Sequence, residues 1–192
     1  MILILVESPS KARAIAQYAR EVFEGKILVR STLGHLRDLP SGELGVNIPQ
    51  GFRPEYAIRN KKAVSYLRPY LREASQIFLA MDPDREGEAI AWHVTKVFVS
   101  ELRRKPVLRV SFNAITRDAV QKGLRQGRQI DQALVKAAVA RRVVDRLIGY
   151  KISPRLWAHV EGKGLSAGRV QTAALRILAG QAKESWDVEV EL

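Results

Sequence analysis

The chain has 192 residues, 46% hydrophobic and 27% charged, the make-up of a globular protein with room for one large or two small domains, and this excludes wholesale disorder. It contains no cysteine, which excludes disulfides and thiolate metal sites and makes the reducing cytoplasm the default compartment. No apolar run approaches the length that crosses a bilayer, so no membrane partner is expected. The formal net charge is +12 and is unevenly placed: residues 101–183 hold 18 basic and 5 acidic residues, whereas 1–100 hold 14 and 11. A basic segment of that density calls for a polyanion, nucleic acid before others.

In chain order, Met1–Val6 is a continuous apolar run, as in a strand covered on both faces. Ser8-Pro9 then offers a cap and a first-turn proline for a helix over Lys11–Glu21. Lys26–Ser31 reads as a second strand, and Gly34–Phe52, rich in Gly and Pro, as loop. A helix over Asn60–Glu73 leads to a third strand, Gln76–Met81. Gly87–Leu102 reads as one helix, Val107–Phe112 as a fourth strand and Thr116–Leu124 as a further helix. Strands alternating with helices imply βαβ units and a parallel sheet. Beyond Gly127 the pattern turns helical: Ile130–Tyr150, a short helix from Ser153-Pro154, and Ser166–Ala182 after a Gly-rich turn. The boundary between an α/β unit and a basic helical unit falls near 125–130. Residues 186–192 alternate like a strand without a partner, which points to a longer polypeptide.

Three acids cluster in Asp82-Pro83-Asp84-Arg85-Glu86, at the carboxyl end of the third strand, the edge where open parallel sheets bind ligands. Asp82 and Asp84 share a face if extended. Carboxylates this close repel unless a cation intervenes, and Mg²⁺ suits them because it takes oxygen ligands and bridges to phosphate. The same acids could simply favour the dipole of a helix N-terminus. Glu7 ends the first strand at the same edge and could act as a general acid or base, or remain a loop acid. Lys11 could reach a phosphate or be solvated. His35 lies in a loop after a strand end, His93 reads as structural, and His159 is uninformative. In the helical unit Arg141 and Asp145 are four apart and share a face, as a plain surface salt bridge or as a pair presented to phosphate and a base edge; Arg142 and Arg146 lie beside them, and Tyr150 offers a stacking surface. Ser166-Ala167-Gly168-Arg169-Val170-Gln171 opens the last helix, whose free N–H groups could hold phosphate. Neither a P-loop nor a dinucleotide fingerprint is present.

Taken together, Val6-Glu7-Ser8-Pro9-Ser10-Lys11-Ala12, Gly34-His35-Leu36-Arg37-Asp38-Leu39-Pro40 and Asp82-Pro83-Asp84-Arg85-Glu86-Gly87-Glu88-Ala89-Ile90-Ala91-Trp92-His93 resemble the amino-terminal part of type IA DNA topoisomerases of the bacterial topoisomerase I kind. The resemblance continues through Ala140-Arg141-Arg142-Val143-Val144-Asp145-Arg146 and Leu165-Ser166-Ala167-Gly168-Arg169-Val170-Gln171, covering nearly the whole chain. It implies a Toprim domain over 1–125, with a four-stranded parallel sheet flanked by helices, and over 126–192 the first part of a helical domain bordering a single-strand groove. The implied activity is ATP-independent relaxation of negatively supercoiled DNA by transient single-strand cleavage. By resemblance Glu7 would serve the leaving 3′ oxygen and Lys11 the scissile phosphate, with His35 and Arg85 in support. Asp82, Asp84 and Glu86 would hold Mg²⁺, and Arg141, Arg142, Asp145, Tyr150, Ser166, Arg169 and Gln171 would line the groove for single-stranded DNA.

The chain departs from the family in three ways: in its tyrosines, in the absent gate domains and in one spacing. Family members cleave with a tyrosine near an Arg-Thr-Asp-Ser-like motif, and none of Tyr18, Tyr56, Tyr66, Tyr70 and Tyr150 has that context. The stretch between the last helix and Trp186 is also shorter than the family's. The expectation is a chain that binds DNA but neither cleaves nor relaxes it without the gate domains of the same polypeptide. The rival readings are a non-catalytic nucleic-acid-binding module and another Toprim enzyme, primase-like or nuclease.

Overall fold

The computed structural model describes residues 1–160 and 165–185. Four strands form one all-parallel sheet: β1 (Ile2–Val6), β2 (Ile27–Ser31), and, after two miniature antiparallel pairs described below, β7 (Gln76–Ala80) and β8 (Val107–Arg109). Their spatial order is β2-β1-β7-β8. Alternate residues of β1 serve two cores. Leu3 and Leu5 pack with Ile77 and Leu79 against α2 (Lys61–Glu73) and α3 (Arg85–Val97). Ile4 and Val6 pack with Phe78 against α1 (Ala12–Ala19) and α5 (Arg117–Arg125). Burial on both faces is why β1 and β7 read as unbroken apolar runs.

The order of connections places the site. The chain leaves β1 through a 3-10 turn at Pro9–Lys11 and α1 to reach β2 on one side. It then crosses back through α2 to β7 on the other side of β1. The direction of winding therefore reverses between β1 and β7, and a crevice opens outside their carboxyl ends, the usual ligand position in such sheets.

The stretch read as a Gly- and Pro-rich loop contains short structure. The pair β3 (Arg37–Asp38) and β6 (Ala57–Ile58), and the pair β4 (Val46–Asn47) and β5 (Arg53–Pro54), are antiparallel ladders of two residues each. They are too short to leave an alternating pattern. The single helix expected over Gly87–Leu102 is divided: α3 ends at Val97, Phe98 takes a non-helical conformation, and α4 (Val99–Leu102) follows. Buried Phe98 anchors that break in the first core. The fourth strand stops at Arg109, whose backbone pairs with Arg128.

The helical unit comprises α6 (Gln132–Lys151), α7 (Ser153–His159) and α8 (Arg169–Ser185). Asp131 caps α6 by accepting from the N–H groups of Ala133 and Leu134 at 2.8 and 3.2 Å. One side of α6 lies along α3, and Val143 joins Leu39 and Val46 in a small third core. The Gly-rich turn and the alternating segment at 186–192 lie outside the described residues. Among the described residues no helix is long and apolar enough to cross a membrane.

Candidate active site

Val6 and Ala80 are register partners at the ends of β1 and β7, so Glu7 and Asp82 leave the sheet at the same edge. Glu7 is half-buried there, and its pKa is raised above the ordinary 4.5. Burial contributes most, the charge of Asp82 adds to it, Lys11 opposes it, and Asp84 adds further. The Glu7 backbone is fixed by Ser31, whose hydroxyl donates to its carbonyl at 2.7 Å. The 3-10 turn then presents Lys11, whose ammonium pairs with the Asp82 carboxylate.

The three acids of the loop have different partners. Asp82 takes Lys11. Asp84 caps α3, accepting from the Gly87 N–H at 2.7 Å. Glu86 lies 3.7 Å from the Nε2 of His35. Both sequence readings of Asp84 thus bear on one side chain, because it is a helix cap that stands at the sheet edge. Among the described residues no three acids or histidines converge as a preformed metal cluster. The donors are nonetheless of the kind Mg²⁺ takes, hard carboxylate oxygens, and this ion draws the rest of its shell from water and phosphate. The fields of Asp82 and Asp84 on Glu7 show a concentration of negative charge that a cation would offset. The residues present therefore fit such an ion. Arg85 is exposed, and its side chain forms no hydrogen bond or ion pair among the described residues.

Sequence reading missed what holds this loop. Arg109, 1% exposed, donates to the backbone carbonyls of Leu79 at 3.2 Å and Met81 at 2.8 Å, and to those of Asp82 and Val110. Its Nε donates to Glu88 at 2.9 Å. Glu88 is wholly buried and also takes both nitrogens of Arg128 and the Asp131 N–H. Burial presses its pKa upward, but the Arg128 fork, the Asp131 N–H and Arg109 outweigh that and hold it below the usual glutamate value. Gly87 is required by close approach: a Cβ there would stand 2.2 Å from the Asp82 carbonyl oxygen. The signal in the sequence was an arginine inside the apolar strand Val107-Leu108-Arg109-Val110.

Beside the acid loop, a cavity of about 280 Å³ lies between the two units, lined by His35, Asp38, Glu86, His93, Arg141 and Asp145 among others. The structure therefore brings Arg141 and Asp145 to the same space as His35 and Glu86. Arg142 also lines it, but its guanidinium forks onto Asp38 at 2.9 and 2.6 Å. Burial works to raise the pKa of Asp38, and the Arg142 fork with the Leu39 N–H more than reverses it. Asp145 is held below its ordinary value, first by its hydrogen bond from Arg169. Arg146, the neighbour of Asp145 in sequence, donates to the carbonyls of Pro40 and Glu43 at 2.9 Å each and stacks on Tyr150. It straps α6 to the loop after β3. Tyr150 is exposed outside the cavity. Ser166 and Gln171 meet each other at 3.4 Å near the start of α8, away from the cavity lining.

His93 is structural, as the sequence reading had it. It is 4% exposed, accepts from Arg37 Nε at 2.6 Å, and packs edge-on to Tyr56. Burial first, then the Arg37 charge, lowers its pKa to about 3, so the ring is neutral. Arg37 in turn lies over the rings of Tyr56 and Trp92, 4.7 Å from each centroid.

A parallel sheet with acids at its switch point, followed by a basic helical unit, defines an α/β protein with an acidic ligand edge. The family model described as Toprim domain matches residues 2–115, and that described as DNA topoisomerase matches residues 129–189. The full-length topoisomerase I of Thermotoga maritima is similar in structure, with a TM-score of 0.82 and 37% identity over 97% of this chain and 31% of that one. The chain belongs to the Toprim family and, within it, to the type IA DNA topoisomerases. It spans about a third of the length of the topoisomerase it matches.

Proposed function

We propose that the chain supplies the acid and phosphate half of a type IA topoisomerase active site together with part of its single-strand groove. In this reading residues 1–125 are the Toprim unit and 126–192 the first part of the groove domain. The whole enzyme would relax negatively supercoiled DNA, in an ATP-independent cycle, through transient cleavage of one strand. The observation that carries the reading is Glu7 at the β1–β7 switch point, its pKa raised by burial and Asp82, with Lys11 beside it and the arginine-lined cavity next door.

In the reaction a tyrosine from the gate domains attacks the scissile phosphorus. The bond to the 3′ oxygen breaks, the tyrosine proton leaves to solvent, and Glu7, whose surroundings favour its neutral form, hands its proton to the departing oxygen. Resealing runs these transfers backward. Lys11 stabilises charge on the phosphate, and His35 and Arg85 support it from the loop and the exposed first turn of α3. Asp82, Asp84 and Glu86 would hold Mg²⁺, which when bound neutralises phosphate charge. Arg141, Arg142, Asp145, Arg169 and the outlying Tyr150, Ser166 and Gln171 form the single-strand path, and the basic excess follows the backbone.

The chain contains no tyrosine in the cleavage context, so the purified protein binds single-stranded DNA and leaves supercoiled plasmid unchanged. Binding weakens as salt rises, because phosphate contacts release counterions. Relaxed topoisomers produced by the purified chain, or binding indifferent to salt, would overturn the proposal.

A further inference from the structure

The buried pair Arg109 and Glu88, with the partly exposed Arg128, holds the acid loop and also reaches the start of α6. Glu88 is on the first turns of α3, and its two oxygens accept four hydrogen bonds. Oε1 takes Arg128 at 2.8 Å and the Asp131 N–H at 2.6 Å; Oε2 takes Arg109 at 2.9 Å and Arg128 at 3.0 Å. Every lone pair is used. On one side Arg109 carries the connection to the carbonyls of Leu79, Met81 and Asp82, which form the end of β7 and the start of the acid loop. On the other side Asp131 is the cap of α6, the helix that bears Arg141, Arg142 and Asp145. Arg128 lies in the connection between the units, its side chain 43% exposed, and its backbone pairs with Arg109.

We propose that Glu88, with Arg109 and Arg128, is a positioning centre that sets the acid loop and the start of α6 in one register. A phosphate gripped from α6 is then delivered over Asp82 and Asp84. The inference rests on the function proposed above and assigns these three residues within it. A carboxylate with three cationic and amide donors has one low-energy geometry, and the guanidinium fork fixes direction as well as distance. Removing Arg128 leaves the Arg109–Glu88 pair buried and intact while cutting the arm that reaches the linker. It takes away two of the four bonds that fix the Glu88 carboxylate and leaves the Asp131 N–H bond in place, so it loosens the register of α6 against the loop without stripping the core of its charge balance.

The test uses the intact chain, wild type and Arg128→Ala, with a labelled single-stranded oligonucleotide read by fluorescence anisotropy in EDTA and in Mg²⁺. In the wild type Mg²⁺ tightens DNA binding by about fivefold or more, the usual scale of coupling between two sites. In Arg128→Ala the affinity in EDTA stays near wild type, because the guanidinium faces Glu88, and the gain from Mg²⁺ collapses. A general loss of stability would lower both affinities and leave their ratio alone. Hydrogen exchange supplies a readout without metal: peptides over 79–90 and over 131–140 both lose protection in the variant. If the wild type shows no Mg²⁺ gain, the metal reading of the proposed function fails, and the exchange data alone decide the positioning role. A full Mg²⁺ gain in Arg128→Ala, or lost protection confined to 131–140, overturns the inference.

Discussion

Gly87→Ala puts one methyl group where the fold has no room for it. The new Cβ would lie 2.2 Å from the Asp82 carbonyl oxygen, 2.9 Å from its amide nitrogen and 3.0 Å from its carbonyl carbon. All three are backbone atoms of the acid loop, and Arg109 holds the same carbonyl from behind, so no side-chain rotation relieves the contact. Either the loop or the first turn of α3 must retreat by ~1 Å. Forced overpacking of this kind costs about 1–3 kcal/mol. Against it stands the helical gain of alanine over glycine, at most ~1 kcal/mol and smaller in a first turn. The clash wins, and the variant is destabilised by ~1–2 kcal/mol. The movement also shifts Asp82 relative to Glu7 and Lys11, so any Mg²⁺-linked gain in DNA affinity falls with it. Urea unfolding of the two proteins measures the first effect, and anisotropy with and without Mg²⁺ the second. A Gly87→Ala protein as stable as wild type would refute the close-approach argument.

Glu7→Gln is expected to stabilise the protein at neutral pH. The native pKa lies above 4.5, so the native state favours the neutral form. The stability associated with it is complete below 4.5 and is lost as pH rises through the native value. The difference between variant and wild type therefore appears in unfolding at pH 7 and vanishes near pH 4; a constant difference across that range would contradict the placement. His93 has the opposite sense. With a native pKa of about 3 against an ordinary 6.5, its contribution is present above 6.5 and drains as pH falls toward 3, by a few kcal/mol in order of magnitude. Chemical unfolding at stepped pH shows this slope in wild type, and His93→Gln should flatten it. Arg146→Ala loosens the strap between α6 and the loop after β3, and faster hydrogen exchange over 39–45 is the expected sign.

Much of the α/β unit was legible because its central strands β1 and β7 are buried on both faces and lead into residues with chemistry: Val6 before Glu7, Met81 before Asp82. The cap Ser8 also declared itself, whereas Asp84, read among acids near a helix start, is the cap of a helix that begins at Arg85. What could not be read was pairing at a distance. Nothing in the sequence joins Glu88 to Arg128 or Asp38 to Arg142, 40 and 104 positions apart. Arg142, Arg146 and Arg141 look alike in one dimension. In three, the first is forked on a carboxylate, the second straps a loop, and Arg141 lines the cavity, its one ion pair among the described residues a long 3.8 Å contact to Asp145. The break at Phe98 was hidden for a related reason, since an apolar residue continues a helical pattern whether the backbone turns there or not. Segments of two residues such as β3 and β5 carry too little periodicity to be distinguished from loop.

The central claim is that binding and chemistry lie on different elements, α6 for the strand and the β1–β7 edge for the proton. Anisotropy of Arg141→Ala and Glu7→Gln against one labelled single-stranded oligonucleotide, at a single moderate salt concentration, tests it most directly. Arg141→Ala should weaken binding severalfold through loss of a charge-assisted phosphate contact. Glu7→Gln should bind as well as wild type or better, since proton transfer in a transition state is invisible to equilibrium affinity and removing an acid near phosphate cannot repel it. Loss of affinity in Glu7→Gln, with none in Arg141→Ala, would contradict the account.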